Sequence, residues 1–382
     1  MKEPVYLDNG TLARPSDHLI AQIQPFIKRH WSSITAPYIQ GKEPFTSIDK
    51  GLRAIRAFVG LAENDLFQFC SSGAHAISEV YHSVYIDHIA ENGKNHILTT
   101  EVEEASIHLI GQGFEKLGVY QKTIPLNENG QVTREALERA ITPKTGLVSL
   151  SWANALTGVV HPIWELGELC REKGILFHVD ASTILGKLYF KFQQLAIDYL
   201  TFDGVLLHAL KGSGGLVVRT GVDFQSRTVE GMEGADLNLP AFIGLGIAIE
   251  ELDQAVDHLC METVRLRDKL EQGILLALPE ARVLFERAER LPNVSTVYFP
   301  GVMGELLAFH LREEGVFASF GGGPLQKLHR LLTAIGKDPI ESRCVLSFSL
   351  AYTTTEEDID RAIAIIVDCA QKCRTFSKGA FL

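Results

Sequence analysis

The sequence predicts an α/β protein of two domains. A large domain over residues 14–245 carries a mainly parallel sheet flanked by helices, and a smaller α/β domain covers 246–382, with the segment 1–13 packing near the functional site. Three observations lead there. The chain has 382 residues, more than one hydrophobic core comfortably supports. From residue 15 to about 219, helix-like and strand-like stretches alternate. Beyond about residue 240 that rhythm gives way to one long helical run and a second, shorter set of elements.

In chain order, a helix begins at Pro15-Ser16 and runs through HLIAQIQPFIKRHW, where Pro25 is expected to bend or break it. IDKGLRAIRAFVGL follows as a second helix, with Leu52, Ile55, Phe58 and Val59 on one face. LFQFC (66–70) reads as a short strand, then Ser71-Ser72-Gly73-Ala74 opens a helix from about His75 to Ile89. Further strands are expected at 96–100, 119–124, 146–152, 174–180, 199–202 and 215–219, most separated by helical stretches such as SIHLIGQGFEKLG and WELGELCREKG. Strands alternating with helices imply a mainly parallel sheet, and ligands in such sheets gather at the carboxyl ends of the strands. The segment 240–278 reads as one long helix joining the domains. Strands at 293–299 and 344–350 and helices at 305–315, 325–336 and 355–373 complete the smaller domain.

Composition narrows the function. Hydrophobic residues at 46% and charged residues at 22% exclude a largely disordered chain. A net charge of −11 with no basic block argues against nucleic acid or anionic membrane as the main partner. No apolar run approaches the ~20 residues that span a bilayer, and MKEPVYLDNG lacks a signal core. The six cysteines are scattered without CxxC pairs, which points to reduced thiols and a cytoplasmic protein. Histidines show no metal-ligand spacing, so no metal site is expected. Gly186-Lys187 lacks the rest of a phosphate loop, and Gly244-Leu245-Gly246 sits inside a helical pattern where no dinucleotide turn belongs.

Three strand ends carry groups that could serve one ligand. Gly73, Ala74 and His75 open a helix directly after a strand, and free N–H groups at a helix start hold anions. Asn154 follows the strand ending at Trp152, and Asp180 ends the strand ILFHVD, where a carboxylate can hold a protonated ring nitrogen. Each has a plainer role open to it: Ser71 or Ser72 as a helix cap, Asn154 as a turn former, Asp180 as a cap.

Together and in this order they resemble the class V aminotransferases, and among them the cysteine desulfurases. Tyr6-Leu7-Asp8-Asn9-Gly10-Thr11 is similar to the family's YLDNxAT opening, and Cys70-Ser71-Ser72-Gly73-Ala74-His75 to its phosphate turn. Gly158-Val159-Val160-His161-Pro162-Ile163 resembles GxxxPI, Phe177-His178-Val179-Asp180-Ala181 resembles xHxDAAQ, and Thr353 to Asp360 resembles TTEEEID. The resemblance spans nearly the whole chain. It implies the aminotransferase fold type I, pyridoxal 5′-phosphate as cofactor, a small amino acid or amine as substrate, and a homodimer. By position it implies Gly73, Ala74 and His75 at the cofactor's phosphate, Asn154 at the ring oxygen (one residue out of register) and Asp180 at the ring nitrogen.

The chain departs from that family at the reacting groups. Asp203-Gly204-Val205-Leu206 aligns with a serine-x-histidine-lysine segment, which puts leucine where the Schiff-base lysine belongs. The next lysine, Lys211, preceded by His208, is the expected replacement; Lys187 matches a turn leading away from the site. Glu104 stands at the ring-stacking histidine, Asp236 at a phosphate-binding threonine and Ser347 at a substrate-binding arginine. The stretch from Ala318 to Pro324 lacks the sulfur-accepting cysteine. Two readings follow: a divergent pyridoxal-phosphate enzyme with Lys211 as its lysine, or a cofactor-free relative serving as a binding or scaffold protein.

Overall fold

The computed structural model describes residues 3–34, 43–226, 237–323 and 325–377, so Asp236 and Pro324 lie outside the described residues. Its strands are β1 (Val5–Tyr6), β2 (Leu66–Cys70), β3 (His96–Thr99), β4 (Tyr120–Thr123), β5 (Thr145–Ser151) and β6 (Leu176–Asp180). After them come β7 (Tyr199–Asp203), β8 (Gly214–Val218), β9 (Arg282–Val283), β10 (Val294–Tyr298), β11 (Val316–Phe317) and β12 (Val345–Ser349). The large sheet has the order β2-β8-β7-β6-β5-β3-β4. β4, β3, β5, β6 and β7 run parallel, and β8 lies antiparallel between β7 and β2. This is the architecture of the aminotransferase fold type I, a large sheet flanked by helices and a smaller α/β domain.

Burial on both faces explains why the central strands read as apolar runs and not as alternations. Every residue of β5 is buried, and Trp152, Phe177, Phe202 and Phe242 are almost fully enclosed, each contributing roughly 1.5–3 kcal/mol by burial. The helix Asp17–Lys28 starts where expected, Ser16 accepting the Leu19 N–H at 2.9 Å. It runs on through Pro25 without breaking. Pro25 sits in the last turn, the carbonyl it leaves unpaired belongs to exposed Ala21, and Leu19, Ile23 and Phe26 anchor the buried face. The helix expected over about His75–Ile89 is longer and not uniform: an α-helix spans Gly73–Ser83, a π-turn, Val84–Ile89, extends it, and a last turn, Ala90–Asn92, follows.

The long helix Leu239–Ala277 serves two cores. Its residues to Leu259 pack into the large domain, and those from Leu266 onward pack with β10, β12 and the C-terminal helix Glu356–Ser377. The changeover therefore falls between Leu259 and Leu266, later than a boundary at 245/246, because unbroken helical periodicity does not mark which core each turn faces. The amino-terminal segment ties the small domain to the large one. β1 pairs with β11, the Gly10 N–H donates to Ser349 Oγ at 2.6 Å, and the Ala13 N–H donates to the Val205 carbonyl at 2.9 Å.

Candidate functional site

A cavity of about 350 Å³ opens at the carboxyl ends of the sheet strands, roofed by Gly10, Thr11 and, from the small domain, Gly322, Leu325 and Gln326. β2 leads into it through Ser72, whose hydroxyl accepts the His75 N–H at 3.1 Å and starts the Gly73–Ser83 helix. β3 leads to Glu103 and Glu104, β5 to Asn154, β6 to Asp180 and β7 to Asp203.

A chain of hydrogen bonds fixes the floor. Ser149 Oγ and Thr201 Oγ1 hold the two nitrogens of buried His178 at 2.8 and 2.9 Å. Burial lowers the His178 pKa to about 3, so the ring stays neutral. Thr201 donates to Asp180 Oδ1 at 3.2 Å, as does Ser182 Oγ at 2.7 Å. Ser182 Oγ also accepts the Asp203 N–H at 2.9 Å. Asp180 is 3% exposed and its Oδ2 takes no hydrogen bond from the described residues, so that oxygen is offered to the cavity.

Acid crowds the lining. Glu101, Glu103, Glu104, Asp180 and Asp203 line the cavity, and no lysine, arginine or histidine does among the described residues. Burial, set against hydrogen bonds from Thr100 and Ser151 and aggravated by Asp180, raises the Glu103 pKa to about 7. Burial first, then the charges of Asp180, Glu103 and Asp203, raise Glu104 to about 7; Gln326 Nε2 donates to it. Asp180 rises to about 6, again chiefly by burial. Glu103 is locked in place, accepting Thr100 Oγ1 at 2.7 Å and the Ser151 N–H at 2.6 Å.

The residues named from the sequence divide into three groups. Gly73, Ala74 and Asp180 line the cavity. Asn154 also lines it, but its side chain holds a turn: Oδ1 accepts from the Leu156 and Thr157 N–H groups at 3.0 and 2.9 Å, and Nδ2 donates to Val102 O at 3.1 Å. The other three do not reach the cavity lining. His75 faces Ser71, 3.0 Å from its hydroxyl. His208 ends a tight turn at φ 59, its Nδ1 lies 2.8 Å from the Arg14 carbonyl, and its ring packs on Tyr352. Lys211 is exposed on the turn before β8, where Gly212 at φ +89 swings the chain away, so the expected replacement for the missing lysine is not brought to the site.

Lys187, set aside in the sequence, is the nearer amine. Its Nζ donates to Thr183 O at 3.0 Å, and burial lowers its pKa to about 8. It lines a small adjoining cavity that shares Gly10, Ala155 and Leu206 with the large one, so Leu206 forms part of the partition. Glu103 and Ser182 were also missed. Ser182 lies two residues beyond the end of β6 and Glu103 four beyond the end of β3, where the strand-end rule could have found them.

These residues fit one part of pyridoxal phosphate. Asp180, with one oxygen held and one free, fits the ring nitrogen. The phosphate end does not fit, because Asp203 already lies against the Gly73 N–H, 2.9 Å away. The aldehyde end does not fit either, since Val205 and Leu206 line the wall where the resemblance expects histidine and lysine. A carboxylate within about 4 Å of a phosphate costs roughly 4 kcal/mol per unit charge at an effective dielectric near 20.

The family model for class V aminotransferases matches residues 5–362. A cysteine desulfurase of Nostoc sp. is 30% identical over 98% of this chain and 94% of its own length. One from Cereibacter sphaeroides is 32% identical over 98% of both chains. Among solved structures, a NifS-like protein superposes with a TM-score of 0.87 at 24% identity, covering 97% of this chain and 100% of its own.

Proposed function

The chain belongs to the class V aminotransferase family, pyridoxal-phosphate-dependent enzymes of the cysteine-desulfurase-like kind, and on that premise we propose that its cavity acts on a small amine or amino acid with the cofactor ring seated on Asp180. The observation that carries this reading is Asp180 itself. It is buried at the end of β6, one oxygen is held by Ser182 and Thr201, and the other faces the cavity. A protonated pyridine nitrogen supplies the one donor that this oxygen lacks; when bound, such a ring withdraws electrons from the substrate's α-carbon. The carboxylate lining favours an amine over an amino acid, whose own carboxylate finds no cation among the lining residues.

Sulfur transfer through a persulfide is not part of this proposal. Ser319 to Gly323 holds no thiol, and burial raises the Cys344 thiol above its ordinary range. The test is binding of a pyridoxal-class ring, followed by fluorescence quenching: the parent protein saturates, and Asp180→Asn weakens binding at least tenfold. Equal binding by parent and variant would remove Asp180 from the site.

The protein works as a cytoplasmic homodimer on small-molecule substrates, without nucleic acid or membrane. The net charge of −11 and six scattered cysteines without CxxC pairs support this, and no helix among the described residues is long and apolar enough to cross a membrane. Light scattering at micromolar concentration is expected to give twice the chain mass; a monomer would refute the dimer.

A further inference from the structure

The anion seat at the start of the Gly73–Ser83 helix is filled by the chain itself. Asp203 Oδ2 accepts the Gly73 N–H at 2.9 Å and Oδ1 accepts the Val205 N–H at 3.0 Å. Its own N–H is held by Ser182. The fit is close: a Cβ on Gly73 would stand 2.9 Å from the Asp203 Cβ. A helix start offers its free N–H groups and the positive end of its dipole to an anion, and here a carboxylate takes that place. A serine, which the resemblance expects at this position, carries a hydroxyl that can donate to an anion. An ionised aspartate has no proton to donate and adds a negative charge.

The opposite wall points to a ligand. Asp180, 3% exposed, offers an unpartnered Oδ2 that calls for an N–H donor. The cavity thus presents an acceptor for a ring nitrogen at one side and a second carboxylate, an acceptor of O–H, where a phosphate ester would otherwise sit. With no lysine, arginine or histidine in the lining, nothing from the described residues offsets a phosphate dianion.

We propose that the cavity takes the pyridoxal-class ring in its unphosphorylated form, with the ring nitrogen on Asp180 and the free 5′-hydroxyl donating to Asp203. This rests on the reading that a pyridine ring sits on Asp180, and it adds what lies at the ring's other end. No covalent bond is required. Pyridoxamine and pyridoxamine 5′-phosphate are the probes, since neither has an aldehyde to label surface lysines.

Calorimetric titration of the full chain at pH 8 is expected to show pyridoxamine binding at least tenfold more tightly than its phosphate ester. Asp203→Ser, checked for folding by circular dichroism, reverses the order by freeing the Gly73 N–H and removing the charge. If the parent protein binds the phosphate ester as tightly or more tightly, the proposal fails while the ring reading survives. If neither probe binds the parent, both fail. If Asp203→Ser folds but keeps the parent's preference, Asp203 is not the discriminating group and the proposal fails. Should the variant not fold, the order of the two probes on the parent decides by itself.

Discussion

At the scale of single residues, the site is held together by hydrogen bonds and set on edge by charge. Glu104 illustrates the cost. Its pKa rises from 4.5 to about 7 because burial and three neighbouring carboxylates disfavour its ionised form. A carboxyl whose folded pKa lies above its unfolded value is protonated more in the folded state. Its stabilising contribution is therefore complete below about pH 4.5 and is lost as pH rises through about 7. Glutamine keeps the oxygen that accepts from Gln326 and removes the charge. Glu104→Gln is thus expected to raise stability by about 1–2 kcal/mol at pH 8 and to change it little at pH 4.5, which thermal melts at the two pH values would check. An equal effect at both would mean that packing, not charge, governs this position. The same scale shows what the sequence could not reveal. Asp180 was legible because a carboxylate ending an apolar strand is conspicuous, whereas Lys187 was not, because only the folded chain shows that it lines a small cavity together with Leu206.

At the scale of elements, the sheet was legible because strands buried on both faces are near-continuous apolar runs, and β2, β5, β6, β7 and β8 each fall within two residues of their expected limits. Gly51 and Gly246 carry information that periodicity does not. The helices Glu43–Val59 and Leu239–Ala277 cross so closely there that a Cβ on Gly246 would stand 2.7 Å from the Gly51 Cα. The glycines of Gly244-Leu245-Gly246 are therefore packing residues, in keeping with their place inside a helical pattern. The helix opening at Gly73 was expected two residues late, because glycine is a poor helix former and only the Ser72 cap and the Asp203 contact reveal where the first turn begins. Asn154 was ambiguous for a related reason. One side chain can serve a ligand or a turn, and the four contacts that commit it to the turn exist only in the folded chain.

At the scale of the whole molecule, the cavity exists because two domains meet over it, so the seam between them matters as much as the lining. The segment around Arg290 forms one part of that seam. The Val160 N–H donates to Glu289 O at 2.9 Å and the Leu291 N–H donates to Gly158 O at 2.7 Å, which fastens this segment to the turn that follows Asn154. From there Arg290 Nη1 reaches Glu271 Oε1 on the long helix at 3.0 Å, with both side chains about one-tenth exposed. Arg267 Nε lies 3.9 Å from the same oxygen, too far for it to replace Arg290 in a hydrogen bond. An exposed ion pair contributes about 1 kcal/mol or less, but removing one partner of a buried pair strands the other charge and costs roughly 3–5 kcal/mol. Arg290→Ala is accordingly expected to lower the urea-unfolding free energy by about 3 kcal/mol. Replacing both partners, Arg290→Met with Glu271→Met, is expected to recover most of that loss, since no buried charge then remains unpaired. A loss below about 1 kcal/mol in the single variant would make the pair a surface one in effect, and the domain seam would have to be held by its backbone bonds and apolar contacts alone.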